Sequence, residues 1–165
     1  MSIELTAATD ADDQIVRNLS AYYIYDFTEY TGWSCPENGL FAGCDELFDD
    51  WRAGKNHPFI IRVDGELAGF AGVAYDDSGE YFIQEFFVLR KFRRRGVGKS
   101  VAFMLFDRFP GKWKVQQLTA NTPAVGFWRV TIDEYTSGVF TDDGVADSPW
   151  GTMSTLRFSN SLPQV

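Results

Sequence analysis

Six cations fall within ten residues, Arg90, Lys91, Arg93, Arg94, Arg95 and Lys99, with no acid among them and with Gly96 and Gly98 placed between the last two. Successive backbone N–H groups in a glycine-containing turn at a helix N-terminus converge on one point, where the helix dipole adds positive potential. Such a turn suits phosphate. Gly96 and Gly98 permit backbone conformations and an approach that a Cβ would obstruct, and the arginines add screening charge.

Two phosphate-loop patterns are excluded residue by residue. Gly98-Lys99-Ser100 matches the end of G-x-x-x-x-G-K-S, but that pattern requires glycine where Arg93 stands. A dinucleotide fingerprint would need a third glycine at the position of Val101. A solvated basic turn stays open as the alternative to a phosphate cradle. Elsewhere, Cys35 and Cys44 stand nine apart with His57 the only histidine, which fits no zinc pattern, so no metal is expected. The cysteines read as ordinary reduced thiols, and His57, before Pro58, as a strand-entry residue.

The charge around this loop is unevenly distributed. Residues 1–80 carry 16 acidic and 4 basic side chains, and residues 81–165 carry 7 acidic and 11 basic, for a net charge of -8 overall. A chain with pI near 4.6 repels nucleic-acid phosphates at long range, so the basic run points to a compact anion rather than to DNA or RNA. With 165 residues and 45% apolar side chains, one domain over 1–165 is expected, with a core that needs neither disulfides nor metals and no place among disordered tails. The first residues lack the basic and apolar regions of a signal peptide, and no apolar run approaches the ~20 residues of a membrane span. A soluble, cytoplasmic protein without membrane contact is the expectation.

The elements that would position the loop follow from periodicity. Ile3–Leu5 reads as a short strand. Thr9 or Asp10 can then cap a helix through about Tyr30, with Ile15, Val16, Leu19, Tyr22, Tyr23, Phe27 and Tyr30 at helical spacing. Asp45–Arg52 reads as a second helix with Leu47, Phe48 and Trp51 on one face. Phe59–Val63 and Glu66–Tyr75 are strands joined by Asp64-Gly65, and Asp76–Gly79 turns the chain into a strand over Tyr81–Leu89. Then come the glycine loop, a helix over Ser100–Phe109, a Pro110-Gly111 stop and a strand over Trp113–Thr119, which together form a crossover between parallel strands. A helix over Thr122–Ile132 and an antiparallel pair, Tyr135–Phe140 with Thr152–Phe158, complete an α/β class with a mixed, mostly antiparallel sheet, a central parallel strand pair and flanking helices.

At this point the sequence resembles the GNAT superfamily of N-acetyltransferases. The family's coenzyme A motif, Q/R-x-x-G-x-G/A, is matched by Arg93, Gly96 and Gly98. The preceding strand commonly ends V-x-P-x-x-R, and Val88 and Arg93 fit that spacing, with Arg90 in place of the proline. The family's N-x-x-A-x-x-F/L-Y is answered by Asn121, Ala124 and Phe127. The order of elements agrees from Ile3 to Phe158, so the resemblance covers nearly the whole chain and implies a GNAT-like acyl-CoA N-acyltransferase fold. One position departs: the tyrosine that often follows, and protonates the departing thiolate, is Trp128, whose indole N–H only donates hydrogen bonds.

The resemblance implies acetyl transfer from acetyl-CoA to a primary amine, by direct transfer in a ternary complex. The strand ending at Val88 would splay from the Trp113 strand, leaving backbone groups for pantetheine and the Val88 N–H for the oxyanion. Arg93, Arg94, Arg95, Gly96, Val97, Gly98, Lys99 and Ser100 would hold the pyrophosphate. Phe87, Val88, Asn121, Phe127 and Trp128 would lie along the cofactor arm. Glu85 is the candidate base, acting through a water if Phe82, Phe86 and Phe87 around it raise its carboxyl; the alternative is a carboxylate that pairs with a neighbouring arginine. Tyr135 is the candidate acid. Because the first helices usually set substrate choice in this family, Tyr22, Tyr25, Asp26, Glu29 and Trp33 mark a cationic acceptor, met by carboxylates and aromatic faces. A small-molecule amine or a peptide lysine would qualify, and exposed aromatics would support a homodimer. The alternative is a non-catalytic acyl-CoA-binding sensor or interaction module, which the change to Trp128 keeps open.

Overall fold

Asp64 and Gly65 adopt φ of 50° and 78°, the paired left-handed geometry of a two-residue hairpin, and so fix the register of the strands they join. A computed structural model describes residues 1–41 and 45–161, with 45–48 as backbone only. The strands are β1 (Ile3–Ala7), β2 (Asn56–Val63), β3 (Glu66–Tyr75), β4 (Glu80–Val88), β5 (Lys112–Leu118), β6 (Thr141–Ser148) and β7 (Gly151–Ser159), and the helices are α1 (Asp13–Thr31), α2 (Asp45–Arg52), α3 (Val97–Arg108) and α4 (Thr122–Thr136). The sheet has seven strands in the order β1-β2-β3-β4-β5-β7-β6. β4 and β5 are parallel, whereas β1–β2, β2–β3, β5–β7 and β6–β7 are antiparallel. The mixed sheet with a central parallel pair is therefore as expected. Contacts divide the chain into two units, Met1–Ala74 with Gln84–Val101, and Tyr75–Ile83 with the chain from Ala102 onward.

In the first unit, Thr9 starts the first helix. Its N–H and hydroxyl both donate to Asp12 Oδ2, at 2.8 and 2.9 Å, and close a short 3-10 turn ahead of α1. These bonds, the backbone one foremost, hold the Asp12 carboxyl below its ordinary value. α1 ends at Gly32, left-handed at φ 69°. Between these caps Val16 and Leu19 point inward onto Ile60, Phe70 and Phe87, and the Tyr23 ring lies 5.9 Å from Phe70 and 5.6 Å from Phe87. This stripe lays α1 over the strands that carry Phe70 and Phe87.

β2 starts at Asn56, earlier than its apolar run suggests, and so takes in His57 and Pro58. Pro58 is tolerated because its carbonyl, which accepts from Ala8 N at 2.9 Å, faces the β1 side beyond the last ladder pair, Ala7–Phe59, so the missing N–H removes no bond to β3. Cys35 is exposed and free; Cys44 lies outside the described residues, as do the Leu47 and Phe48 side chains.

The second unit is built on aromatics. Trp113 and Phe158, partners across β5 and β7, stack at 6.2 Å, and Phe106 meets each of them at 4.9 Å. The parallel ladder pairs Glu80–Phe82 with Lys112–Lys114. At its start the Asp76 carboxylate accepts from Lys114 Nζ at 2.7 Å and from Ser78 Oγ at 2.5 Å, which holds its carboxyl far below the usual range. Asn160 closes the unit: its Oδ1 accepts from Gly111 N at 2.7 Å, while its Nδ2 donates to Phe106 O at 2.7 Å and to the Tyr135 hydroxyl at 3.2 Å. Asn160→Ala is expected to remove about 2 kcal/mol, because it strands polar groups that are part-buried, and to show as a lower Tm in thermal unfolding.

The largest difference from expectation lies near the C-terminus. α4 continues through Tyr135 to Thr136 and stops only at Ser137 and Gly138, both left-handed at φ 54° and 84°. Tyr135 extends the buried stripe of Trp128, Thr131 and Ile132 at helical spacing, so packing overrides its strand propensity. The strand that follows is Thr141–Ser148, exposed for nearly its whole length at the end of the sheet and bulged between Asp142 and Val145.

Candidate functional site

The end of β4 is fixed by its neighbours in the first unit. β3 carries a bulge, since Ile61 pairs with Gly69 but Arg62 pairs with Leu67, leaving Ala68 as the extra residue. The Ala68 carbonyl accepts from Leu89 N at 2.8 Å. On the other side of the same peptide plane, the Val88 carbonyl accepts from Arg93 Nε at 2.6 Å. The Val88–Leu89 peptide is therefore held from both ends. β3 passes so close that a Cβ on Gly69 would stand 2.0 Å from the Phe87 carbonyl oxygen.

The basic turn that follows has the backbone of an anion cradle. Arg94 is left-handed at φ 57° and Gly96 at φ 80°, with Arg95 between them. Alternating handedness of this kind turns successive N–H groups toward one point. α3 then begins at Val97, with Val97 and Val101 buried as its anchor and Ser100 N bonded to Gly96 O at 3.0 Å. Gly98 lies in the first turn of α3 and, unlike Gly96, has no positive φ. The arrangement fits a pyrophosphate group: a helix N-terminus, two left-handed residues and cations around them.

The six cations are not equivalent. Arg90 Nη2 and Arg93 Nη2 both bind Asp26 of α1, at 2.7 and 2.5 Å, and Lys91 binds Glu66 at 2.6 Å. Arg94 and Arg95 are exposed and have no carboxylate partner among the described residues. Two residues expected to meet ligands are thus engaged within the protein. Arg93, matched to the coenzyme A motif, points its guanidinium at the Val88 carbonyl and at Asp26. Asp26, matched to a cationic acceptor, has both carboxylate oxygens taken by arginines. Burial alone would push the Asp26 carboxyl up, but the hydrogen bonds from Arg93 and Arg90 outweigh it and hold the group below its ordinary value. Nothing in the motif spacing pairs residue 26 with residue 93; only the fold does.

The other first-unit candidates lie as follows. Tyr22 and Tyr25 are exposed on α1 at 59% and 58%, Trp33 follows the helix at 41%, and Glu29 is exposed on the same helix. The Tyr25 ring lies 6.0 Å from Phe41. Glu85 is half-buried in β4, two residues before the buried Phe87.

In the second unit, Asn121 caps α4, its Oδ1 accepting from Ala124 N at 3.1 Å. Phe127 and Trp128 meet edge to face at 4.9 Å, and Trp128, 5% exposed, packs on Phe106 at 6.4 Å. Trp128 is thus part of the aromatic core. The Tyr135 hydroxyl donates to Asp107 Oδ1 at 2.8 Å, and its ring packs on Phe103, Phe106 and Phe158. Burial, with the Asp107 carboxylate beside it, pushes its phenol up. Two turns beyond Trp128, this tyrosine serves the packing of α4 on α3. Among the described residues, no three His, Cys, Asp or Glu side chains gather as metal ligands would, and no helix is long and apolar enough to cross a membrane.

Comparison with known proteins gives the class. Residues 18–131 match the acetyltransferase (GNAT) family. Solved structures with the same fold include the ribosomal-protein-S18-alanine N-acetyltransferase from Escherichia coli, with TM-score 0.66 and 13% identity over 99% of this chain and 97% of that one. An aminoglycoside acetyltransferase AAC(6')-Ib in complex with coenzyme A matches with TM-score 0.68 and 16% identity over 96% and 95%. A chimera of the spermidine N-acetyltransferase SpeG from Vibrio cholerae and hSSAT matches with TM-score 0.63 and 12% identity over 97% of each. No curated protein sequence matches the chain. The chain belongs to the GNAT acetyltransferase family, and is an N-acetyltransferase whose acetyl donor is acetyl-CoA.

Proposed function

We propose that this protein acetylates a primary amine on a cationic small molecule, by direct transfer from acetyl-CoA in a ternary complex. The observation that carries the donor half is the turn with left-handed Arg94 and Gly96 at the start of α3, where two exposed arginines have no carboxylate partner among the described residues. Its backbone N–H groups from Arg94 to Lys99 hold the pyrophosphate of the donor, the Ser100 N–H being taken by the Gly96 carbonyl. The Val88 N–H leaves the strand on the side of its own carbonyl, since extended backbone projects both groups of a residue to one side, and serves the oxyanion.

The acceptor half rests on α1. Tyr22, Tyr25 and Glu29 expose aromatic faces and a carboxylate on one helix, with Trp33 just past its end, and together they suit an ammonium group. Proteins of the same fold include a spermidine N-acetyltransferase, an aminoglycoside acetyltransferase and a ribosomal-protein-alanine N-acetyltransferase. Polyamines and aminoglycosides fit the α1 face; a peptide lysine is the third class to test. The defining experiment is a screen of these amines with acetyl-CoA, read by release of free thiol. Acceptor-dependent release with one cationic class supports the proposal. Coenzyme A binding without release for any amine favours a non-catalytic acyl-CoA sensor, the reading that Trp128 in place of tyrosine suggests.

Glu85 takes the proton from the acceptor ammonium through a water. General bases contribute about 10²-fold or more. Glu85→Gln is therefore expected to lower kcat/KM by about 10² at pH 7, with the acetyl-CoA KM held, in rates measured from pH 6 to 9. An unchanged pH profile removes Glu85 from the mechanism.

A further inference from the structure

The clasp between α1 and the basic turn has no counterpart in the motif that identifies the donor site. Asp26 is 18% exposed and takes one guanidinium on each oxygen. One of the two, Arg93, also spends its Nε on the Val88 carbonyl and lays its guanidinium 5.5 Å over the Phe87 ring. The peptide beyond Val88 is bonded to Ala68 on its far side. A single carboxylate on α1 thus fixes the side chain that fixes the strand end.

We propose that Asp26 is a positioning residue of the acetyl-donor site: from α1 it orients Arg93, and Arg93 sets the Val88–Leu89 peptide and the entry to the phosphate turn. This rests on the donor-site reading given above. Preorganised donors stabilise developing charge only if they are held before the reaction begins, and Val88 is held through this chain of bonds. The opposite role for Asp26 is concrete: if Arg90 and Arg93 served the phosphates directly, Asp26 would only mask them, and its removal would tighten coenzyme A. Positioning and masking predict opposite signs.

The test is a double-mutant cycle read by coenzyme A titration. Asp26→Asn is expected to weaken coenzyme A about tenfold, and Asp26→Glu to restore most of the loss. Arg93→Lys keeps the charge and the ion pair but loses Nε, so it should also weaken coenzyme A about tenfold and read the Val88 link even if Asp26→Asn fails to fold. The double variant should be little worse than either single, because the two residues act in series. Lys91→Ala, whose partner is Glu66, should leave affinity unchanged and controls for loss of positive charge. Unchanged or tighter binding by Asp26→Asn overturns the proposal, and so do fully additive losses. Wild-type protein that binds no coenzyme A overturns the donor-site reading itself; wild-type binding with an unaltered Asp26→Asn overturns only the role of Asp26.

Discussion

Gly69→Ala should destabilise the protein by about 3 kcal/mol or more and abolish acetyl transfer. The added methyl would stand 2.0 Å from the Phe87 carbonyl oxygen and 3.1 Å from Val88 Cα. Both obstacles are backbone, so no rotamer relieves them, and β3 or β4 must move by an ångström or more. For a chain of this size, each kcal/mol shifts Tm by roughly 2–4 °C, so a drop near 10 °C is expected in calorimetry. The movement falls on the residue whose N–H is to meet the oxyanion. Folded variant should therefore bind coenzyme A more weakly and release no thiol with any amine that the wild type acetylates. A wild-type Tm would show that the strands are not in contact at Gly69.

The second large effect is expected from Arg94 and Arg95. Replacing Arg94 by asparagine and Arg95 by alanine should raise the Kd for coenzyme A about a hundredfold, taking roughly 1.4 kcal/mol for each charge-assisted contact. Asparagine is chosen because Arg94 is left-handed at φ 57°, a conformation asparagine tolerates better than alanine. The loss should shrink as salt is raised, since both side chains are exposed and their attraction is screened. The acceptor KM should stay where it was. Affinity within threefold of wild type would leave the helix N-terminus as the main phosphate ligand and the arginines as solvated charge.

The sequence made the donor motif legible because its chemistry is local: Arg93, Gly96 and Gly98 lie within six residues, and the turn they make depends mainly on their own backbone preferences. The hairpins at Asp64-Gly65 and Asp76–Gly79 were legible for the same reason. What remained hidden depends on distance along the chain. Asp26 lies 67 residues from Arg93, and no local pattern distinguishes a carboxylate that will meet two arginines from one that faces an acceptor. The Ala68 bulge could have been suspected, since a glycine inside a strand pattern often marks a bulge or a close backbone approach, and Gly69 is such a residue. Tyr135 misled because an aromatic followed by Thr136 and then by Val139 and Phe140 has strand propensity, and only the hydrophobic spacing from Trp128 reveals that the helix goes on. Thr141–Ser148 offered no alternation to read at all.

That last strand has a consequence away from catalysis. β6 ends the sheet, and an outermost strand with open backbone groups is a template on which another molecule can add its own strand. Here the template is spoiled. The bulge between Asp142 and Val145 breaks the row of N–H and C=O groups, and three aspartates replace the apolar residues that would have cemented a second layer. Arg129 and Arg157 hold Asp142 and Asp143, while Thr152 holds Asp147, so these charges stay where they block pairing. The strand that closes the sheet thereby resists its indefinite growth, and guards the enzyme against aggregation at high concentration.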